Sequence, residues 1–143
     1  MFTLSHVHPM LVHFPIALIA VGFLLELIYL FRKKEVCLTK AGYYLLILGA
    51  LAAVITWLSG IFFTAEMEGA AGQVRETHEL MAIITVVLLI ITATIRIFVV
   101  VKKKDDDKTL KNIAFIMYAL ATISVFITGY FGGTLVYDYM MPL

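Results

Sequence analysis

Four unbroken apolar stretches, at about 9–31, 41–63, 78–101 and 112–137, decide what this chain can fold into. Crossing the hydrocarbon core of a bilayer takes roughly 17–25 apolar residues, and each stretch is that long. None shows the in–out alternation of a barrel strand. Inside lipid every backbone N–H and C=O must find its partner within the protein, so each stretch reads as a helix. Of the 143 residues, 62% are hydrophobic and 15% charged, whereas a soluble domain is about half apolar and about a quarter charged. Almost nothing remains for a water-soluble domain, so 1–143 reads as one membrane domain. No basic residue precedes the first stretch and no small-residue cleavage site follows it. We therefore expect it to be a membrane helix and not a cleaved signal peptide.

The basic residues sort by loop. Arg32, Lys33, Lys34 and Lys40 flank the connection between stretches one and two. Lys102, Lys103, Lys104, Lys108 and Lys111 flank that between three and four. The middle connection, 64–77, has Arg75 alone among its cations and carries Glu66, Glu68 and Glu76. Short loops rich in Lys and Arg stay in the cytoplasm, so both termini are expected outside. Both basic loops are short, and short connections favour antiparallel neighbours. The expected fold is an all-α, antiparallel four-helix transmembrane bundle. The net charge of +1 gives no case for nucleic acid, and the cations serve as topology determinants that meet the lipid bilayer. The Asp105–Asp107 run among them is expected to be a solvated loop. The single cysteine, Cys37, excludes an intrachain disulfide, and there is no C-x-x-C-H for covalent haem attachment.

This topology gathers all four histidines at the outer end. His6, His8 and His13 open the first stretch and His78 opens the third. Imidazole is the side chain that haem iron and transition metals use most. The first motif reads His8-Pro9-Met10-Leu11-Val12-His13-Phe14-Pro15. Pro9 suits a first helical turn, with His8 as cap. Pro15 frees the carbonyl of Leu11, so either the helix kinks near His13 or it begins near Phe14. His8 and His13 are separated by about 140° on a straight helix, so only a kink brings both to the axis. Thr77 or Glu76 is expected to cap helix three. His78 then lies at nearly the depth of His13, and the two are expected to hold an iron between them, with His8 nearby. Arg75, one turn earlier, suits a haem propionate or a lipid phosphate.

Helix four also ends outside, with Gly129, Tyr130, Gly132 and Gly133. Glycine permits close approach of a second backbone or of a flat ligand. Gly129 and Gly133 are spaced for helix packing, and Tyr130 is a candidate donor beside a macrocycle. Trp57 and Gly60 on helix two fit the same readings. Glu26 and Arg96 lie inside spans at equal depth from the basic end, where charge is costly and usually paired. They are expected to form an ion pair that staples helices one and three as neighbours.

Together the His8-Pro9-x-x-Val12-His13-Phe14-Pro15-Ile16-Ala17-Leu18 opening, Arg75-x-x-His78, and Gly129-x-x-Gly132-Gly133-x-Leu135-Val136-Tyr137 resemble the bacterial membrane proteins grouped as domain of unknown function 2231. The resemblance covers nearly the whole chain. It implies four helices in the bacterial inner (cytoplasmic) membrane. Some members are joined to Rieske-type iron–sulfur domains, which implies electron transfer, although this chain has no iron–sulfur ligands. The ending Tyr139-Met140-Met141-Pro142-Leu143 replaces a glycine-rich one.

Three functions compete. One is a b-type cytochrome with haem b held by His13 and His78. Another is a protein binding a transition metal ion through His8, His13 and His78, with Glu66 or Glu79 as an added ligand. The third is an accessory subunit of a respiratory complex. A transporter is disfavoured, because there is no internal inverted repeat and no broken mid-membrane helix. No nucleophile–base pair, phosphate loop or carboxylate dyad is visible, so catalysis is not expected.

Overall fold

The structure is a computed structural model that describes residues 6–104 and 107–141. Its elements run α1 (Val7–Leu11), α2 (His13–Phe31), α3 (Val36–Phe63), α4 (Gly69–Val101) and α5 (Lys108–Tyr137). With α1 and α2 taken as one span, four helices are long and apolar enough to cross a membrane. Their outward faces are apolar: Phe14, Tyr44, Leu51, Ile55, Phe62, Leu80 and Ile116 are all exposed. Such a surface invites association in water and is the required exterior in lipid.

The short basic connections make two antiparallel hairpins, α2–α3 and α4–α5, each packed along its length. Around the bundle α2 touches α3 and α5, and α4 touches the same two. Helices one and three are therefore diagonal, which corrects the expectation that they are neighbours. The interior is built from small residues and a few large plugs. Ala50, Ala53, Ala93 and Ala121 let the backbones approach, while Ile19, Leu46, Leu89 and Tyr118 fill the axis. Close approach through small residues is what holds helices together where lipid is as apolar as leucine.

A second regularity relates the hairpins. A shift of 70 residues carries Pro15, Ile19, Gly22 and Glu26, the buried positions of α2, onto Thr85, Leu89, Thr92 and Arg96 of α4. A shift of 72 carries Gly42, Leu46, Gly49, Ala50 and Ala53 of α3 onto Ala114, Tyr118, Ala121, Thr122 and Val125 of α5. Every partner except Arg96 is buried, and the Arg96 side chain is only 12% exposed. The bundle thus has an approximate two-fold axis along its length, relating two hairpins of the same orientation. This parallel repeat is compatible with the absence of an inverted one.

All four spans start earlier than the sequence expectation, the second at Val36 and the fourth at Lys108. Helix α4 starts at Gly69, so His78 lies inside the helix instead of opening it. Its N-cap is Glu68, which makes no side-chain cap bond, and Thr77 Oγ1 bonds back to Gln73 O within the helix. Hydropathy marks where lipid begins, and the polar stretch 69–77 is helical beyond that level. The first span begins at Val7 with His6 at its N-cap position, so Pro9 stands in the first turn and His8 is not the cap. At the other end, Asp107 caps α5, its carboxylate accepting from the N–H groups of Thr109 and Leu110 at 3.0 and 3.1 Å. Asp105 and Asp106 lie outside the described residues, as do Pro142 and Leu143.

Candidate functional site

Pro15 sets the local geometry. The first span is interrupted at Val12, and α2 restarts at His13 with Pro15 in its first turn, where a missing N–H costs least. The Leu11 carbonyl that Pro15 frees accepts from Thr56 Oγ1 on α3 at 3.3 Å. The break is thereby stitched to the neighbouring helix, and α1 is held against the end of α3.

This stitching presents His8 to the bundle. Its Nδ1 lies 3.1 Å from the Thr56 carbonyl and 2.9 Å from Ser59 Oγ. The Ser59 hydroxyl in turn donates to the same carbonyl at 2.6 Å. His78 does the same on the other hairpin, with Nδ1 3.0 Å from the Thr128 carbonyl. A carbonyl only accepts, so Nδ1 carries the proton in both rings and Nε2 presents its lone pair. A metal-ligating imidazole is held in this way, with one nitrogen tied to a carbonyl and the other free to bind.

Each ring also rests on a glycine. A Cβ on Gly60 would stand 3.1 Å from Cε1 of His8, and one on Gly132 the same distance from Cε1 of His78. The repeat explains the match: the shift of 72 carries Thr56 and Gly60 onto Thr128 and Gly132. The shift of 70 carries His8 onto His78. The two half-buried rings face each other across the axis, centroids 6.4 Å apart and planes at 81°.

The other candidates fall as follows. His13 is exposed, and its Nδ1 meets the Pro9 carbonyl of its own chain segment at 2.9 Å; the ring brought to His78 is that of His8. Among the described residues no three His, Cys, Asp or Glu side chains gather as a metal site, so the three-histidine set is not assembled. Arg75 is paired with Glu66 and, at 2.9 Å, with Glu79. Its guanidinium is therefore engaged by carboxylates beside the site. Gly129 faces Ile16 of α2, while Gly133 faces open space, so the G-x-x-x-G spacing is not a packing seam within the chain. Tyr130 is 70% exposed on the outside of α5.

Below the His78 ring, Thr85 Oγ1 bonds both Ser124 Oγ (2.7 Å) and Thr128 Oγ1 (2.9 Å). Sequence reasoning missed this floor, and also missed Thr56, Ser59 and Thr128. The readable signal was the repeated Thr-x-x-x-Gly at 56–60 and 128–132, each ending an apolar span.

At the basic end Arg96 Nη2 donates to Glu26 Oε1 at 2.5 Å and to Thr39 Oγ1 at 3.0 Å, and Thr39 donates to the same carboxylate oxygen at 3.1 Å. The expected ion pair forms, and it bridges diagonal helices.

A family model described as predicted membrane protein (DUF2231) matches residues 5–142. No curated protein and no solved structure matches the chain. The four membrane-length helices and the match over nearly the whole sequence lead to one conclusion: the chain belongs to the DUF2231 family of membrane proteins.

Proposed function

We propose that this is a small electron-transfer protein of the bacterial cytoplasmic membrane, holding a b-type haem between His8 and His78 near the outer face. The observation that carries the reading is the pair of equivalent imidazoles on the two-fold axis. A ligand on such an axis has to offer the same chemistry to both sides, as a metal with two opposite coordination positions does. The two rings lie close to one another, with centroids 6.4 Å apart, and imidazole nitrogen is a donor that haem iron takes.

The ligand count favours haem over a bare ion. Among the described residues the pair is joined by no third His, Cys, Asp or Glu, and a structural zinc site needs about four ligands. A haem, whose iron is already held by the porphyrin, would need only two protein ligands, and His8 and His78 would supply them. When bound, the iron supplies one-electron chemistry. This chain's own residues fix the two rings. The Thr56 and Thr128 carbonyls set the tautomer and raise the basicity of Nε2. Gly60 and Gly132 admit the rings. Charge bias places both basic loops in the cytoplasm, which puts the pair near the outer surface, within reach of a redox partner or of respiratory-complex subunits.

The test is an optical spectrum of protein purified after expression with adequate haem. The expected result is a Soret band with a reduced α band, at one haem per chain. Stoichiometric metal without porphyrin absorbance would replace haem by a bare ion. Neither metal nor porphyrin, in protein that copurifies with other subunits, would leave an accessory-subunit role.

A further inference from the structure

The basic end contains more than an ion pair. Glu26 from the first span, Thr39 from the second and Arg96 from the third are joined by hydrogen bonds. Tyr118 from the fourth points its hydroxyl into the same layer. The residue is 1% exposed, and its phenol oxygen occupies a notch left by Gly22, where a Cβ would lie 2.2 Å away. Gly42 makes the matching space for Glu26, since a Cβ there would stand 3.1 Å from its Cγ and Oε1. Phe23 packs edge-on against the Tyr118 ring at 5.5 Å and holds it in place.

Two donors in this layer have no acceptor: the Tyr118 hydroxyl and Arg96 Nε. Burying an unsatisfied donor is costly, and more so when the group is charged. Two such donors, one on α5 and one on α4, in the buried layer of Glu26 call for an acceptor that neither helix supplies. Thr39 and Arg96 both donate to Oε1 of the Glu26 carboxylate; a carboxylate has a second oxygen, Oε2, that can accept from a further donor.

We propose that this layer binds one small hydrogen-bond acceptor, a water molecule or a halide ion, held by the Tyr118 hydroxyl and Arg96 Nε. Water completes the set best. It accepts from both donors and donates to Glu26 Oε2, reaching the roughly three bonds typical of a buried water. The bound molecule makes Tyr118 a full member of the network, so that one side chain from each of the four spans meets at one point. The inference is independent of the histidine site.

Tyr118→Phe tests it by sign, because this substitution keeps the ring and removes only the hydroxyl. If the phenol is engaged, the detergent-solubilised variant unfolds at a temperature lower by roughly 3 °C or more. An unchanged or higher midpoint means that the hydroxyl is an orphan, and overturns the proposal. Exchanging chloride for gluconate separates the two ligands. A midpoint that falls for the native chain and not for Tyr118→Phe identifies a halide. A midpoint indifferent to the exchange, with the variant still destabilised, excludes the halide and leaves water as the ligand. Arg96→Lys removes Nε as a donor at that position, and in the Tyr118→Phe background it should lower the midpoint by no more than a further small amount. Full additivity of the two losses would overturn a shared ligand.

Discussion

The two ends of this bundle answer the same geometric problem in opposite ways. Each brings equivalent positions of two hairpins together across an approximate two-fold axis. At the histidine end the equivalence is kept: His8 faces His78, and each is tied to a threonine carbonyl and seated on a glycine. At the basic end it is broken, with Glu26 facing Arg96. Unlike groups pair directly, through Arg96 Nη2 and Glu26 Oε1, and the result is an ion pair that joins the two hairpins. Like groups cannot, since two imidazoles with the same tautomer both present lone pairs. The symmetric end thus lacks the direct pairing of opposite charges that joins the two hairpins at the other.

The sharpest break of this contrast is at the staple. Glu26→Ala leaves the Arg96 guanidinium buried without its counterion, and stability should fall by about 3–5 kcal/mol, read by thermal unfolding in detergent. The double variant Glu26→Arg with Arg96→Glu should recover most of the loss, because the axis makes the two positions interchangeable. Failure to recover would argue against the two-fold relation.

The next largest effect belongs to the glycine seats. Gly132→Leu forces the His78 ring from its place, at a cost of about 1–3 kcal/mol for overpacking, and Gly60→Leu should do the same to His8. Both are expected to abolish cofactor binding, whereas Gly133→Leu, which points into open space, should leave it intact. Unequal outcomes at positions 60 and 132 would show that the hairpins share a packing pattern without sharing a function.

Smaller effects refine the picture. Thr56→Val removes the hydroxyl that caps the Leu11 carbonyl and should cost about 1 kcal/mol. Its larger consequence is a loosened α1, visible as faster amide exchange around His8. Arg75→Ala breaks pairs whose glutamates are 85% and 51% exposed, so its cost in stability is at most about 1 kcal/mol.

The sequence revealed more about the staple than about the site, and the reason is physical. A charge inside a span must be neutralised at its own depth, so Glu26 and Arg96 identified each other before any fold was known. The helices were legible for a similar reason, since lipid tolerates no unpaired backbone. The choice between His8 and His13 was not, because it turns on a break at Val12 whose direction depends on Thr56, forty-four residues away in the chain. The diagonal placement of helices one and three was hidden too. Long side chains such as Arg96 reach across an axis, so a pairing does not imply adjacency. The start of α4 escaped because residues 69–77 are helical without being apolar.

The most direct test of the account compares reduced-minus-oxidised spectra of membranes carrying the native chain, His8→Ala, His78→Ala and His13→Ala at matched expression. The α band should be present in the native chain and in His13→Ala, and absent from both His8→Ala and His78→Ala. A band that survives His8→Ala and disappears in His13→Ala would contradict the pairing across the axis on which the functional reading stands.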